Sequence, residues 1–404
     1  MTGIDHSNAS IELREKFSFT KLHAAELMKK IACSEYINGC AMILTCNRTE
    51  LWVSFSGEAG DFTLAEMFRE AAGFDSSYDV LFTQRESAEA VQHLFELACG
   101  MRSMLFGEVQ IITQVKDAIV HSRENGLADP VLESLFGRAV ACAKKVISTV
   151  RLTQNRTSAA DSCMEIISRH FDDLSSLRCL VIGNGEMGRH AAAVMAEAGC
   201  TVEMTLRQYK KGQAVIPFGC SAVSYDDRYS SAETADIIIS ATLSPHYTLT
   251  GENFVRSGGA AEALIFDLAV PRDIDPEIRS LPAVILYDID DLGGSSPDEA
   301  DDLNIKEAEE IIKKDTDEFV TWYCFRDYIP MIDEICSAAA YDIKMRTAGR
   351  LKNELSAEQQ DKVISGVYDA AYKAVGKLMY GFKNNLSKEL WQNCFESIKK
   401  TAEK

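Results

Sequence analysis

Gly183-Asn184-Gly185-Glu186-Met187-Gly188 has the spacing of a loop that lets a pyrophosphate come close to the backbone. Glycines permit a tight turn and a near approach, and the N-terminus of the following helix stabilises negative charge. Alone, the pattern is a weak signal. Here Cys179-Leu180-Val181-Ile182 reads as a strand running into it and Arg189 to Ala198 as the helix leaving it, the context that dinucleotide binding demands. NAD sites usually carry an acid at the end of the next strand to hold the ribose hydroxyls. That strand, Thr201-Val202-Glu203-Met204, is followed by Thr205-Leu206-Arg207-Gln208-Tyr209-Lys210-Lys211, which has cations and no acid. The cations suit a 2′-phosphate, so NADPH is favoured, with Arg207 as its reader. Glu203 lies inside the strand, and Lys210 and Lys211 read better as a solvated loop.

Cys46 is the second candidate for chemistry. It follows the apolar run Ala41-Met42-Ile43-Leu44-Thr45 and precedes Arg48 by two residues. A nearby guanidinium favours the thiolate, the nucleophilic form. With twelve cysteines in the chain, an inert buried thiol is about as good a reading of its position. His93, in Val91-Gln92-His93-Leu94-Phe95, lies on an apolar helix face, where a lone histidine is more often a satisfied core residue than a catalyst. Ser103, Glu108, Gln110 and Gln114 follow closely and supply a hydroxyl, a carboxylate and two amides, a set able to read a small zwitterion. The residues alone lead as far as an NADPH oxidoreductase with a candidate thiol nucleophile. A dehydrogenase of a small acid and a non-catalytic nucleotide-binding regulator remain as alternatives.

Three kinds of element must position these groups. In the first part, two short strands, 41–45 and 50–55, flank the polar turn Cys46-Asn47-Arg48-Thr49, and helices are expected over Glu86 to Ala98, Val109 to Glu124 and Leu132 to Thr149. In the middle, further apolar strands at Asp236–Ser240, Leu264–Leu268 and Val284–Tyr287 alternate with helices, the signature of a doubly wound parallel sheet. The last part is helical. It opens with the linker Gly293-Gly294-Ser295-Ser296, continues with Leu303, Ala308, Ile311, Ile312, Phe319 and Trp322 at helical spacing, and should break or kink at Pro330. The expected division is 1–152, 153–292 and 293–404.

Composition excludes several classes. The 404 residues are 46% hydrophobic and 25% charged, ordinary for a globular chain of two to three domains. No stretch approaches the length of a membrane span, and the first residues lack the regions of a signal peptide. The cysteines show no CxxC pair, so reduced thiols in a cytoplasmic protein are expected, with no metal site. The net charge of −19 argues against general nucleic-acid binding. The charge is uneven, however. Leu286 to Phe319 is strongly acidic, whereas the tail from Asp342 to Lys404 carries 12 basic and 8 acidic residues, leaving room for an RNA surface at that end.

Taken together, these residues resemble the glutamyl-tRNA reductases of tetrapyrrole synthesis. Thr45-Cys46-Asn47-Arg48-Thr49-Glu50 is similar to that family's catalytic signature, and His93-Leu94-Phe95 through Gln114 to a second block. Gly3-Ile4-Asp5-His6 with Leu13-Arg14-Glu15-Lys16, the glycine loop, Ser244-Pro245-His246 and Asp267 to Ile274 also match. The resemblance implies an α/β multidomain protein: an α+β catalytic domain, a Rossmann-type NADPH domain, and a long spinal helix with an all-α dimerisation domain in a V-shaped homodimer. It implies NADPH-dependent reduction of L-glutamyl-tRNA(Glu) to glutamate 1-semialdehyde. By position, Cys46 is the expected nucleophile and His93 the histidine needed for activity. Thr45, Asn47, Arg48, Ser103, Glu108, Val109, Gln110 and Gln114 are expected to bind the glutamyl group, and Gly183, Asn184, Gly185, Glu186, Met187 and Gly188 the cofactor.

The implied chemistry is sensible. An ester to a ribose is a poor hydride acceptor, and attack by a thiolate converts it to a more electrophilic thioester. Arg48 is expected to hold the substrate carboxylate in a fork, with backbone N–H groups after the strand end stabilising the oxyanion. The product, an α-amino aldehyde, is reactive in water, so direct transfer within a complex with glutamate-1-semialdehyde aminomutase makes chemical sense, although no residue visibly encodes it. The tRNA is expected on the basic tail, at Lys344, Arg346, Arg350, Lys352, Lys373, Lys377 and Lys383. The sequence departs from the family pattern at Ser10, Arg102, Val109 and Leu206-Arg207-Gln208.

Overall fold

Residues 48, 50 and 52 project to the same face of one strand, and the way that face is covered governs the first half of the chain. The computed structural model describes residues 1–56, 63–103, 110–150, 158–207, 215–258, 262–282, 284–292, 302–351, 356–385, 390, 393–395 and 397–398. The first sheet is antiparallel, built from β1 (Thr2–Asp5), β2 (Ile37–Leu44), β3 (Arg48–Phe55) and β4 (Thr83–Gln84) in the order β2-β3-β1-β4. Leu51, Met42 and Cys40 pack against Ala24, Leu27, Met28 and Ile31 of the helix Lys21–Ile31. On the opposite face Trp52 meets His93 of the helix Ser87–Ala98 and Phe136 of the helix Pro130–Thr149. Because side chains alternate along a strand, Arg48 and Glu50 are carried under the second layer together with Trp52. The strand expected over 50–55 begins earlier, at Arg48, and is buried on both faces over Arg48–Trp52.

The second sheet is wholly parallel. It comprises β5 (Arg178–Ile182), β6 (Thr201–Leu206), β7 (Cys220–Ser224), β8 (Ile237–Ser240), β9 (Ala263–Asp267) and β10 (Val284–Asp288), in the order β10-β9-β8-β5-β6-β7. The direction of winding reverses between β5 and β8, and such a switch point leaves a crevice at the carboxyl ends of the strands. The expected doubly wound fold is therefore present, with one more strand than the apolar runs revealed. Residues of β7 are exposed or half-buried, which is why its sequence carries little apolar signal.

The crevice depends on glycines at two points. Gly183 has φ +115°, and a Cβ there would lie 2.4 Å from the carbonyl oxygen of Ala241. A Cβ on Gly188 would lie 2.1 Å from the Gly183 carbonyl oxygen, so this position lets the helix Glu186–Glu197 pack directly on the loop. At Gly185 a Cβ would meet nothing within 4 Å: that space is open.

The chain separates into two compact units, Met1–Lys313 and Lys314–Lys404, and both sheets lie in the first. The expected boundaries near 152 and 292 border residues 151–157 and 293–301, outside the described set, as is the expected helix start at Ser296 and Pro297. The helix Asp302–Arg326 is followed by Ile329–Leu351 and Ala357–Asn385. The break falls at Asp327 and Tyr328, so Pro330 sits in the first turn of the next helix, where its missing N–H costs little. The second unit closes over Phe325, Ile332, Ile335, Cys336, Met379 and Phe395.

These contacts separate two neighbouring glycines. Gly188→Ala should destabilise the chain by about 1–3 kcal/mol through overpacking. Gly185→Ala should cost less than about 1 kcal/mol, the scale of a helix N-cap, yet still weaken dinucleotide binding. Thermal unfolding and a cofactor titration of the two variants check this contrast.

Candidate active site

The turn between β2 and β3 is held by its own first residue. Thr45 Oγ1 accepts from the N–H groups of Asn47 and Arg48, both at 3.1 Å. The Thr45 N–H donates to the Arg48 carbonyl oxygen, and the His6 N–H to that of Asn47, each at 3.0 Å. Cys46 is thus presented at the tip of a braced turn. It is half-buried and packs against the core cluster of the parallel sheet, as do Met187, Ala241 and Val270. This bracing corrects one expectation. The N–H groups of Asn47 and Arg48 are occupied by the threonine hydroxyl and do not form an open oxyanion site. The hydroxyl of Thr45, expected from sequence to bind substrate, accepts both of these N–H groups and keeps its own hydrogen to donate.

Beneath the turn lies a buried polar cluster. Arg48 Nη1 donates to Glu50 Oε1 at 2.7 Å and lies 3.7 Å from Asp5 Oδ2, while Nη2 donates to the Arg102 carbonyl oxygen. The same Glu50 Oε1 is 2.8 Å from His93 Nε2, and Glu50 Oε2 accepts from Trp52 Nε1 at 3.1 Å. The Trp52 and His93 rings stack 6.1 Å apart. Burial alone would push the Glu50 carboxyl up, but the charges and hydrogen bonds of His93 and Arg48 overcome this and hold it well below the usual range. Arg48, expected to present a fork to a substrate carboxylate, has both terminal nitrogens engaged by protein. Each of these nitrogens carries a second N–H that those bonds do not use. His93, expected among the catalytic groups, is buried with Nε2 2.8 Å from Glu50 Oε1. Glu50 was quoted in the motif but given no role; only its partners in space identify it as the hub.

Two of the buried polar atoms without a hydrogen-bond partner among the described residues lie at the candidate site. Asn47 Oδ1, beside Cys46, is one; Asn184 Oδ1, in the glycine loop, is the other. Gln110 and Gln114 lie one turn apart on the helix Gln110–Glu124, both half-buried, and so share a face. Ser103 is half-buried next to Arg102, whose carbonyl meets Arg48. Glu108 and Val109 lie outside the described residues.

The glycine loop fits a dinucleotide on three observations: the open space over Gly185, the Gly185 N-cap that leaves helix N–H groups without a side-chain partner, and the unpaired Asn184 Oδ1. Met187 is half-buried on the core and Glu186 exposed. Arg207 is exposed at the end of β6, its guanidinium 4.1 Å from the centre of the Tyr225 ring, whose other cation, Arg228, is at 4.2 Å. Glu203 faces the opposite end of the strand, 3.8 Å from Arg178, and does not serve as a ribose acid. Lys210 and Lys211 lie outside the described residues.

Across the switch point, Asp273 accepts from Ser240 Oγ at 2.8 Å, the Thr242 N–H at 2.7 Å and Thr242 Oγ1 at 2.5 Å. Asp267 accepts from the N–H groups of Ala269 and Ile274. Burial pushes both carboxyls up, and Asp273 pushes Asp267 further. They brace the loop 267–274, which sequence marked as a motif without a function. Burial also raises the thiols of Cys40, Cys163 and Cys179. No group of histidine, cysteine or acidic side chains suited to a metal ion occurs among the described residues.

Comparison with known proteins places two family models on the chain. "Glutamyl-tRNAGlu reductase, N-terminal domain" matches residues 2–150 and "Shikimate / quinate 5-dehydrogenase" residues 165–294. A glutamyl-tRNA reductase of Alkaliphilus oremlandii (strain OhILAs) is 42% identical over 330 residues, covering 81% of this chain and 97% of the relative. One from Acetivibrio thermocellus is 41% identical over 327 residues, with the same coverage of 81% and 97%. Among solved structures, the glutamyl-tRNA reductase from Methanopyrus kandleri aligns over 100% of this chain and 98% of its own, at 24% identity and a TM-score of 0.47.

The buried cluster makes a pH-dependent prediction. Glu50 titrates lower in the folded chain than in the unfolded one, so its stabilisation is complete above the ordinary glutamate pKa of about 4.3 and is lost as pH falls toward the depressed value. Glu50→Gln should cost about 3–5 kcal/mol at neutral pH, the scale for breaking a buried pair. The difference from the parent should narrow steadily below about pH 4, which melting curves across that range would measure.

Proposed function

The chain belongs to the glutamyl-tRNA reductase family, and from that premise we propose that Cys46 is the nucleophile which takes the glutamyl group from the tRNA. The enzyme is an oxidoreductase acting on glutamyl-tRNA, with a dehydrogenase-type nucleotide-binding domain. The observation that carries the assignment of Cys46 is its place at the tip of a turn braced by Thr45, packed on the cluster that also carries Met187 of the glycine loop. A small-acid dehydrogenase or a non-catalytic regulator leaves that turn and its buried support without a purpose.

In the proposed sequence the Cys46 sulfur bonds to the ester carbon, the bond from that carbon to the ribose oxygen breaks, and the oxygen takes a proton as tRNA leaves. When bound, the reduced nicotinamide supplies the two electrons that bring the thioester to the aldehyde level. Cleavage of the carbon–sulfur bond then releases glutamate 1-semialdehyde and restores the thiol. Asn47 Oδ1, buried beside Cys46, is an acceptor for the substrate ammonium, and Ser103, Gln110 and Gln114 contribute the remaining polar contacts, with Glu108 and Val109 completing the block. Arg48 and His93 keep Glu50 ionised and the turn in shape. Gly183 to Gly188 hold the cofactor.

NADPH is the proposed cofactor because Arg207 ends β6 without an acid beside it and is held in place over Tyr225. The three-part division at 1–152, 153–292 and 293–404 follows the two sheets and the helical end. Homodimerisation is proposed through the second unit, where Tyr341, Ile343, Met345, Leu378 and Tyr380 are exposed on two long helices. Lys344, Arg346, Arg350, Lys373 and Lys377 lie on the same helices as the proposed tRNA surface, although Arg346 is partly offset by Asp342 at 2.9 Å; Lys352 and the Lys383 side chain lie outside the described residues. A cytoplasmic location follows from an aminoacylated tRNA as substrate. No helix among the described residues is long and apolar enough to cross a membrane. A complex with an aminomutase remains part of the proposal on chemical grounds alone.

Cys46→Ser should abolish aldehyde formation from purified glutamyl-tRNA while leaving folding and cofactor binding intact, because a hydroxyl at neutral pH is a far weaker nucleophile. Turnover close to that of the parent would exclude the covalent route. Arg207→Ala should weaken NADPH binding by about 1–3 kcal/mol and leave NADH nearly unchanged. Equal losses for the two cofactors, measured by titration, would remove Arg207 as the phosphate reader.

A further inference from the structure

Three ion pairs at two points join the antiparallel part of the chain to the parallel sheet, and none touches the nucleophile or the cofactor loop. All start from the short helix Ile11–Lys16, which follows β1, the strand whose Asp5 lies opposite Arg48 at the base of the Cys46 turn. Ile11, at the start of this helix, is buried in the core cluster of the parallel sheet, the cluster on which Cys46 also packs. Arg14 is buried and grips Asp290 with two bonds, Nη2 to Oδ1 at 2.6 Å and Nη1 to Oδ2 at 3.1 Å. Glu15 receives three bonds from Arg272: from its N–H at 2.6 Å, Nε at 2.9 Å and Nη2 at 2.8 Å. Arg272 Nη1 adds Glu12 at 3.2 Å. Asp290 follows β10 and Arg272 follows β9, so the pairs grip the carboxyl-end edge of the parallel strands. Arg272 also directly precedes Asp273, which fastens the loop to Thr242 beyond β8.

We propose that Arg14–Asp290 and Glu15–Arg272 form a two-point latch that positions the nucleotide-binding sheet on the Cys46 turn for reduction of the thioester, with no part in forming it. The proposal rests on the Cys46 reading. Acyl transfer needs only the turn and the tRNA end, and the hydrogen bonds that brace the turn come from Thr45, Asn47, Arg48 and His6 and none from the parallel sheet, on whose cluster the Cys46 side chain packs. Reduction needs the thioester carbon and the cofactor, held by different sheets, brought to near contact, and small misplacements at such a step are costly. Forked arginine–carboxylate pairs fix orientation as well as distance, and two of them on one short helix prevent both sliding and rotation. The four residues are positioning residues: they act through the seam.

The test uses the full chain, with Arg272→Glu, the milder Arg14→Lys that keeps the charge and loses the fork, and the exchange Glu15→Arg with Arg272→Glu. Three rates are measured: thioester formation from glutamyl-tRNA without cofactor, aldehyde formation in a single turnover once NADPH is added to the preformed thioester, and alkylation of Cys46 by iodoacetamide without any ligand, read by peptide mass spectrometry against exposed Cys33. Thioester formation should stay within about twofold of the parent. The single-turnover reduction should slow by about tenfold or more. Cys46 should alkylate faster relative to Cys33 as the seam opens, and the charge exchange should restore much of the reduction rate. A parallel fall in both half-reactions, or unchanged reduction in Arg14→Lys and Arg272→Glu, overturns the latch. A parent protein that forms no thioester overturns the Cys46 reading instead, so the two failures are distinguishable.

Discussion

A carboxylate on the covered face of a central strand is ionised only if everything around it is arranged to keep it so. Glu50 meets that condition through Arg48, His93 and Trp52, drawn from its own strand and from a helix of the covering layer. Isolated burial of a charge is costly, and removing one partner of a buried pair strands the other. The cluster therefore constrains its members jointly: Arg48 cannot rotate away without leaving Glu50 exposed to a low-dielectric interior, and His93 cannot tilt without losing both the carboxylate and the stacked indole. The turn that carries Cys46 leads directly into this cluster at Arg48, so the side chains that support it are the protein's own.

Legibility in the sequence followed the range of the interactions. The glycine loop could be read because its requirements are local: a tight turn, a close approach and a helix start within six residues. The parallel sheet could be read because its strands are apolar on both faces, with the edge strand at 220–224 the exception. Pro330 marked the helix break to within a few residues, since a ring without an N–H has few places to go. Glu50 could not be assigned a role, because the histidine that explains it is 43 residues away in the chain. Arg48 was recognised as important from its place beside Cys46, but its contacts with Glu50 and the Arg102 carbonyl were not visible, because alternation along β3 turns it inward and Arg102 is 54 residues away in the chain. Arg14 and Arg272 stood inside recognisable motifs and had no visible connection, because their partners lie 276 and 257 residues distant.

The two sheets divide the work according to what each architecture does well. An antiparallel hairpin with a side-chain brace presents one atom at a fixed tip. A parallel sheet opens a crevice where its winding reverses and lines it with backbone N–H groups, which suits a large, charged, exchangeable ligand. The loop 267–274 mediates between them: Asp273 ties it inward to the crevice, while Arg272 reaches outward to the first sheet.

The burial of the other thiols has a consequence for selectivity. Activated esters exchange readily with any accessible thiolate, and a chain with twelve cysteines offers many acceptors. Cys40, Cys163 and Cys179 are enclosed and held protonated by their surroundings, and Cys99, Cys142, Cys200 and Cys336 are buried as well. An enclosed, protonated sulfur is neither reachable by a tRNA terminus nor reactive toward it. Seven of the twelve cysteines are thereby silenced, which leaves exposed Cys33 and the half-buried Cys46, Cys220, Cys324 and Cys394 as the accessible thiols. A substitution that loosens the core would therefore do more than lower stability: it would create competing acceptors and divert aminoacyl groups into dead-end adducts.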